Sequence, residues 1–218
     1  MITNKNKSRA LTEGRAALLV VDIQASTFID DSEDRAIANM PGFREKMEAS
    51  RPLIDAAHEA NVPVIFIQEI HRSDGVDFGR ELDGDEDVHC LDNDPGTAIA
   101  FEEMGYRKGD YVVPKRRYSA FFGTDLEILL RGLKIDTLLL CGALTDVCVH
   151  YTFVDGHQMD YFCRVVEDCV AGSSLEAHEA SLKAMEYLQT GARRSRSEVV
   201  SAMQNIGARD LVKEEAGQ

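Results

Sequence analysis

Short apolar runs alternate along this chain with longer amphipathic segments, and this alternation limits the possible folds more than any other feature. A run that is apolar at nearly every position is typical of a strand buried on both faces of a parallel sheet. The first such run ends in an acidic residue, Asp22. The sequence predicts five strands of this kind, at 16–22, 62–68, 110–113, 137–141 and 162–166.

The amphipathic segments between these runs begin or end near Gly, Ser or Thr, which are boundary signals of helices. They predict helices over 42–60, 124–132, 145–159 and 174–188. Strands that alternate with helices form right-handed βαβ crossovers, so we expect an α/β fold, a doubly wound parallel sheet with helices on both faces. Active sites in such sheets lie beyond the carboxyl ends of the strands.

A chain of 218 residues is about the length of one large α/β domain. We therefore predict one domain over 1–218, with ends at about 1–10 and 213–218 that fray. The acidic, glycine-containing segment 73–96 shows no periodicity. A loop of this length in a compact domain is usually functional, so we expect a lid or a subunit contact there.

The formal net charge of −14 argues against nucleic acid and anionic membranes as partners, because both attract basic surfaces. A small molecule is the expected partner. The sequence has neither an apolar run of the roughly 20 residues that a membrane helix needs nor a hydrophobic signal peptide, which predicts a cytoplasmic protein. The five cysteines are an odd number without a Cys-x-x-Cys pair, which favours reduced thiols over a disulfide scaffold.

Cys148 lies where a buried strand runs into Gly142 and a helix begins near Thr145. The positive end of a helix favours thiolate over thiol, and its free N–H groups can hold an oxyanion. The alternative is a small buried core residue, which is what free cysteine most often is and which suits Cys141. For Cys148 the polar strand-to-helix turn favours a nucleophile.

Two further polar residues follow predicted strands. Asp22 ends the first strand and therefore projects from the sheet edge that the Cys148 turn occupies, although an Asp at a strand end is more often a cap. Lys115 opens a basic turn, Lys115-Arg116-Arg117, beside aromatic residues. Such a turn is usually a solvated surface, but in this acidic chain it predicts a site for a carboxylate or a polarised carbonyl.

Three segments together resemble the isochorismatase-like family of cysteine hydrolases, namely 20–24, 114–121 and 142–149. The resemblance implies a six-stranded parallel sheet and a catalytic triad of Asp22, Lys115 and Cys148. It also implies a cis peptide between Ala143 and Leu144, with the N–H groups of Leu144 and Cys148 as the oxyanion hole. In the implied mechanism Asp22 accepts the thiol proton, Lys115 stabilises the thiolate, and Cys148 forms a thioester that water hydrolyses.

The cysteine favours an amide substrate, because the isochorismatases that cleave a vinyl ether do not keep a nucleophilic Cys at this position. The histidine pattern of the metal-binding nicotinamidases is missing, so we predict neither a metal nor a cofactor. His71 and His89 are expected to be solvated in an acidic loop. The segments 69–72 and 114–122 resemble those of hydrolases of ureido and carbamoyl compounds, which predicts a small ureido or N-carbamoyl substrate.

For the substrate pocket we expect Phe28 and Tyr118 as its walls, although aromatic residues at such positions suit a core equally well. Gln24, Glu69 and Arg72 are the expected polar contacts. Two other functions stay open, a vinyl ether hydrolase and a catalytically silent family member that acts as an interaction module. The resemblance also implies a homo-oligomer, either a dimer or a tetramer.

Overall fold

A computed structural model describes residues 10–29 and 36–205, so most of the expected frayed ends falls outside the described residues. Within these ranges six strands form one parallel sheet in the order β3-β2-β1-β4-β5-β6. The predicted six-stranded α/β architecture is therefore confirmed. The strands are β1 (Ala16–Val21), β2 (Val64–Glu69), β3 (Tyr111–Lys115), β4 (Thr137–Ala143), β5 (Phe162–Ala171) and β6 (Arg193–Arg194).

The first five strands overlap the five apolar runs, and those of β1, β2 and β4 are buried at nearly every position. The strand β3 lies at the edge of the sheet and exposes Tyr111 and Val112. β5 is longer than predicted and continues through the acidic pair Glu167-Asp168 to Ala171. β6 is a two-residue pairing of arginines at the sheet edge. It has no apolar run, which is why the sequence pattern did not locate it.

Helices cover both faces of the sheet, as expected. The predicted helix over 42–60 is two helices, because Pro52 lacks the N–H that would continue the preceding one. No helix within the described ranges combines the length and the apolar character that crossing a bilayer requires. The helices are α1 (Ser26–Ile29), α2 (Phe43–Glu48), α3 (Arg51–Glu59), α4 (Phe101–Met104), α5 (Leu126–Gly132), α6 (Cys148–Gln158) and α7 (Leu175–Leu188), and a last helical segment occupies 196–205.

The core has two layers, one on each face of the sheet. Leu18 and Val20 of β1 pack in the layer that includes Met47 and Ile54 of α2 and α3. Leu19 and Val21 point to the other face, where residues of α5, α6 and α7 pack against them. The alternation along β1 thus fixes which side chains face each helical layer.

The sheet order reverses beside β1, since β2 lies on one side of it and β4 on the other. Such a switch point opens a crevice at the carboxyl ends of the two strands. At Gly142 the β4 backbone adopts φ 111, and a Cβ there would lie 1.9 Å from the carbonyl oxygen of Val21. Only glycine permits this close approach, which brings the chain after β4 next to the end of β1.

Candidate active site

Four neighbouring strands each deliver one polar side chain to the same sheet edge. Asp22 follows β1, and Glu69 and Lys115 are the last residues of β2 and β3, where they are register partners. Cys148 is the first residue of α6, shortly after β4 ends. The parallel arrangement therefore brings together residues that are distant in sequence.

The side chain of Lys115 is fully buried and lies at the centre of this group. Its Nζ is 2.9 Å from Asp22 Oδ2 and 3.3 Å from Cys148 Sγ, and it also contacts Glu69 Oε2. The sulfur is in turn 3.3 Å from Glu69 Oε2. Asp22 is fixed through its other oxygen, which accepts a 2.7 Å hydrogen bond from the Glu69 N–H. The predicted convergence of Asp22, Lys115 and Cys148 is thus observed, with Glu69 as a fourth member.

Burial and charge set the protonation of this group. Burial alone would lower the pKa of Lys115, but Asp22, Cys148 and Glu69 raise that pKa well above its usual value. Burial opposes the ionisation of Glu69 as well, yet Lys115 and the two histidines hold the pKa of Glu69 well below its usual range. For Asp22 burial is the largest effect, and it raises the pKa to about 6 against the pull of Lys115.

The pKa of the Cys148 thiol contradicts the expectation that a helix N-terminus favours the thiolate. Burial raises its pKa well above the usual value, and Glu69 and Asp22 add to this effect against Lys115. The reason is that two carboxylates adjoin a sulfur shielded from water. The thiol therefore keeps its proton until a base accepts it, and Asp22 offers a carboxylate oxygen within 4.8 Å.

The turn between β4 and α6 has the backbone form that the resemblance implies, a cis peptide between Ala143 and Leu144. The N–H groups of Val147 and Val149 both donate to the Leu144 carbonyl at 3.1 Å. The Cys148 N–H is at the first position of α6, where a helix provides no intrahelical acceptor. The oxyanion role of the Leu144 and Cys148 N–H groups stays a prediction.

A cavity of about 360 Å³ opens above the sulfur, with Asp22, Glu69 and Cys148 on its floor. Three residues expected in the substrate pocket line it, namely Glu69, Gln24 and Tyr118. Gln24 donates to the carbonyls of Glu69 and Thr97, and Tyr118 donates to Glu86 at 3.2 Å. Their side chains are thereby held in place at the wall of the cavity.

The segment 73–96 forms part of the same wall. Its contributions to the cavity include Glu86, Val88, His89 and Cys90. The segment is anchored beside β2, because the His71 N–H donates to the Cys90 carbonyl at 2.7 Å and the Asp92 N–H donates to the His71 carbonyl at 2.7 Å. It thus covers the sheet edge where the polar group lies.

Phe28 and Arg72 do not line the cavity, although the sequence analysis predicted both as residues of the substrate pocket. The ring of Phe28 packs against the core layer that contains Ile54, with the Arg44 guanidinium 5.7 Å from its centroid. Arg72 is exposed, because the chain turns away after β2 and the Arg72 N–H is bonded to Asp77.

The basic turn is not the open anion site that its composition predicted. Lys115 points inward, whereas Arg116 pairs with Asp77 at 2.9 Å. Arg117 donates to the carbonyls of Asp77 and Arg116. Neither arginine lines the cavity.

The expectation that His71 and His89 are solvated is wrong, since both are buried. His89 Nδ1 donates to the Asp87 carbonyl at 2.7 Å, and its Nε2 lies 3.1 Å from Glu69 Oε1. His71 Nε2 is 3.1 Å from Glu81 Oε2. Burial lowers the pKa of His71, but Glu69 and Glu81 outweigh it and raise the pKa to about 9.

The histidines bear on metal binding as well. Glu69, His71, Glu81 and His89 bring potential ligand atoms within 4.8 Å of one another. Nδ1 of His89 donates to the Asp87 carbonyl, and Nε2 of each histidine faces the carboxylate of Glu69 or Glu81. Either a proton on the imidazole or a metal ion between these groups is compatible with such contacts. The predicted absence of a metal stays a prediction. All five cysteines are free thiols, as the sequence indicated.

Comparison with known proteins agrees with this geometry. Residues 16–198 match the family described as the isochorismatase domain. The chain belongs to the isochorismatase family. The family is one of hydrolases, which confirms the predicted enzyme class at that level.

Three named proteins are similar to this chain over most of their length. The ureidoacrylate amidohydrolase RutB of Acinetobacter baylyi is 30% identical over 191 residues, which cover 79% of this chain and 77% of that protein. A cysteine hydrolase from Pseudomonas syringae has a TM-score of 0.76 at 28% identity, with 88% and 93% of the two chains covered. N-carbamoylsarcosine amidase from Thermoplasma acidophilum has a TM-score of 0.69 at 26% identity, with 84% and 97% covered.

The buried ammonium predicts a large effect of Lys115→Met on stability. Without it, Asp22 and the Oε2 atom of Glu69 face each other with no cation between them, which costs about 3–5 kcal/mol in the free energy of unfolding at pH 8. Urea unfolding measures this loss, which we expect to shrink at pH 5 as the carboxylates take up protons. Lys183→Met, at an exposed position of α7, is the matched control and changes stability by about 0.5 kcal/mol or less. Equal stability of the two variants would show that Lys115 does not hold the carboxylates together.

Proposed function

We propose that this isochorismatase-family hydrolase is a cysteine amidohydrolase that cleaves a C–N bond of a small ureido or N-carbamoyl compound. The observation that carries this proposal is the position of Cys148. Its sulfur lies on the floor of the cavity, 3.3 Å from the buried Lys115 ammonium and within reach of the Asp22 carboxylate. Sulfur, base and cation together are what nucleophilic catalysis by a thiol requires.

The reaction begins with proton transfer. Asp22 has a pKa of about 6, so at neutral pH it is ionised yet more basic than an ordinary carboxylate. It takes the proton from the Cys148 thiol as the sulfur attacks the carbonyl carbon. Lys115, next to the sulfur, stabilises the negative charge that develops there.

The attack forms a C–S bond and moves the electron pair of the carbonyl π bond to oxygen. This oxyanion is placed next to the N–H groups of Leu144 and Cys148, at the start of α6. When the tetrahedral intermediate collapses, the C–N bond breaks and Asp22 returns its proton to the departing amine or ammonia. The acyl group stays on sulfur as a thioester.

Water then completes the cycle. Asp22, free again as a carboxylate, deprotonates a water that attacks the thioester carbon, and the thiolate leaves and regains a proton. The product is the acid or the carbamate. Glu69 acts as a positioning residue, because it bonds to Lys115 and also donates its backbone N–H to Asp22.

Support for the amide class comes from two directions. Relatives of this chain are named as an amidohydrolase of ureidoacrylate and an amidase of N-carbamoylsarcosine, and both names denote compounds with an N–CO–N group. A thiol facing the cavity also has no role in hydrolysis of a vinyl ether, which is the alternative within the family. A silent interaction module would have no need of the complete group of Asp22, Lys115 and Cys148.

Removal of the nucleophile tests the proposal. Cys148→Ala is expected to lower ammonia release from ureido compounds by at least about 10⁴-fold, because the thioester cannot form. A coupled assay of ammonia over a panel of ureido, N-carbamoyl and simple amide compounds measures this loss. Cys169→Ala, on the opposite face of the sheet, is the control and retains activity. Undiminished turnover by Cys148→Ala would refute the cysteine mechanism.

The pH profile tests the role of Asp22. Because its pKa is raised to about 6, protonation below that pH removes the base, and kcat/KM is expected to fall about tenfold per pH unit well below 6. The profile is flat above the midpoint until other groups titrate. Glu127→Gln, which changes an exposed carboxylate on α5, should leave the midpoint unchanged. A rate that is constant between pH 5 and 7 would rule out Asp22 as the base.

A further inference from the structure

The charged residues around the cavity indicate which charge the substrate can carry, in addition to its ureido group. Four carboxylates line the cavity, those of Asp22, Glu69, Glu86 and Asp94. Among the described residues no lysine or arginine lines it, and the one histidine in its wall is His89. The undescribed stretch 30–35 carries four acidic residues and one arginine in its sequence.

The cations nearby are already bound to protein groups. Lys115 lies beneath the floor, where it contacts two carboxylates and the thiol. Both nitrogens of His89 are engaged, one by Glu69 and the other by the Asp87 carbonyl. Arg116 pairs with Asp77 outside the cavity. A carboxylate on the substrate would therefore meet the carboxylates of Glu86 and Asp94, with no lysine or arginine of the described residues in the cavity wall to pair with.

The hydrogen-bonding groups of the wall show the same bias. Tyr118 uses its hydroxyl proton on Glu86, and Gln24 uses its amide protons on two backbone carbonyls. The hydroxyl of Thr97 is buried in the wall without a hydrogen-bond partner, so it can donate to a ligand or accept from one. The carboxylates of Glu86 and Asp94 are acceptors in the wall, which are complementary to N–H groups of a ligand.

We infer that the substrate is an uncharged or cationic ureido or amide compound without a carboxylate near the scissile bond. This inference rests on the proposed function and makes it more specific. It sets this chain apart from relatives whose named substrates, ureidoacrylate and N-carbamoylsarcosine, are carboxylates. Like charges that line a cavity repel an anion of the right size and lower its affinity.

Three ureas of similar size test the inference, 2-hydroxyethylurea, 2-aminoethylurea and N-carbamoylglycine. They share the ureido group and differ in an end group that is neutral, cationic or anionic. Ammonia release by the wild type and calorimetric binding to Cys148→Ala are the two readouts. We expect the neutral or the cationic urea to exceed N-carbamoylglycine by at least about 100-fold in kcat/KM and in affinity.

A charge variant separates repulsion from shape. Glu86→Gln preserves the acceptor for Tyr118 but removes one negative charge, so the preference against N-carbamoylglycine should fall about tenfold. Glu127→Gln, far from the cavity on α5, should leave that ratio unchanged. A variant that only perturbed the structure would change all three ureas alike, and an unchanged ratio in Glu86→Gln would contradict the inference.

The outcomes distinguish the two proposals. Turnover or binding of N-carbamoylglycine equal to or better than that of the other two overturns the charge inference and leaves the cysteine amidohydrolase intact. Charge-selective binding to Cys148→Ala without ammonia release from any urea by the wild type supports the charge inference and contradicts the ureido function. Absence of both binding and turnover for all three overturns both.

Discussion

The Lys115 ammonium, enclosed between Asp22, Glu69 and the Cys148 sulfur, is the interaction on which the rest of the site depends. An unpaired buried cation is costly, so this group is stable only if the ends of β1, β2 and β3 and the start of α6 stay together. The parallel sheet provides that arrangement, because the carboxyl ends of its strands meet at one edge. Gly142 allows the chain after β4 to pass close to Val21, which completes the group.

A second layer of charges supports this centre. Glu69 contacts Lys115 through one oxygen, and its other oxygen lies within 3.4 Å of both His71 and His89. His71 is also stacked on Phe78, with 4.0 Å between the ring centroids. The loop after β2 is thereby tied to the reacting group, and two of its acidic residues, Glu86 and Asp94, line the cavity. The proposed selection of substrate charge therefore involves the same loop that supports the site.

Much of this could be predicted from the sequence. Apolar runs identify five strands, and an acid or a base at the end of such a run projects from the sheet edge, which makes Asp22 and Lys115 candidates. Their grouping with Cys148 as a triad was implied by the resemblance to the isochorismatase-like family. The edge strand β6 has no such run. The sequence pattern also could not show which side chains pair with each other in the folded chain. The loop histidines are buried because Glu69 and Glu81 bind them, and Arg116 turns outward because Asp77 binds it, and neither pairing has a signal in local spacing. Glu69 was predicted as a substrate contact but not as a partner of Lys115. The signal for that role is its position at the end of β2, which corresponds to the position of Asp22 after β1.

The central claim is that the sulfur under the cavity carries the acyl group during turnover. The direct measurement is an acid quench of the wild type during steady-state hydrolysis of the best urea, followed by digestion and mass spectrometry of the cysteine peptides. The account predicts one carbamoyl or acyl group on the Cys148 peptide alone, and its disappearance once the substrate is consumed. Rapid turnover with an unmodified Cys148 peptide, or with the acyl group on Cys90 instead, would contradict it.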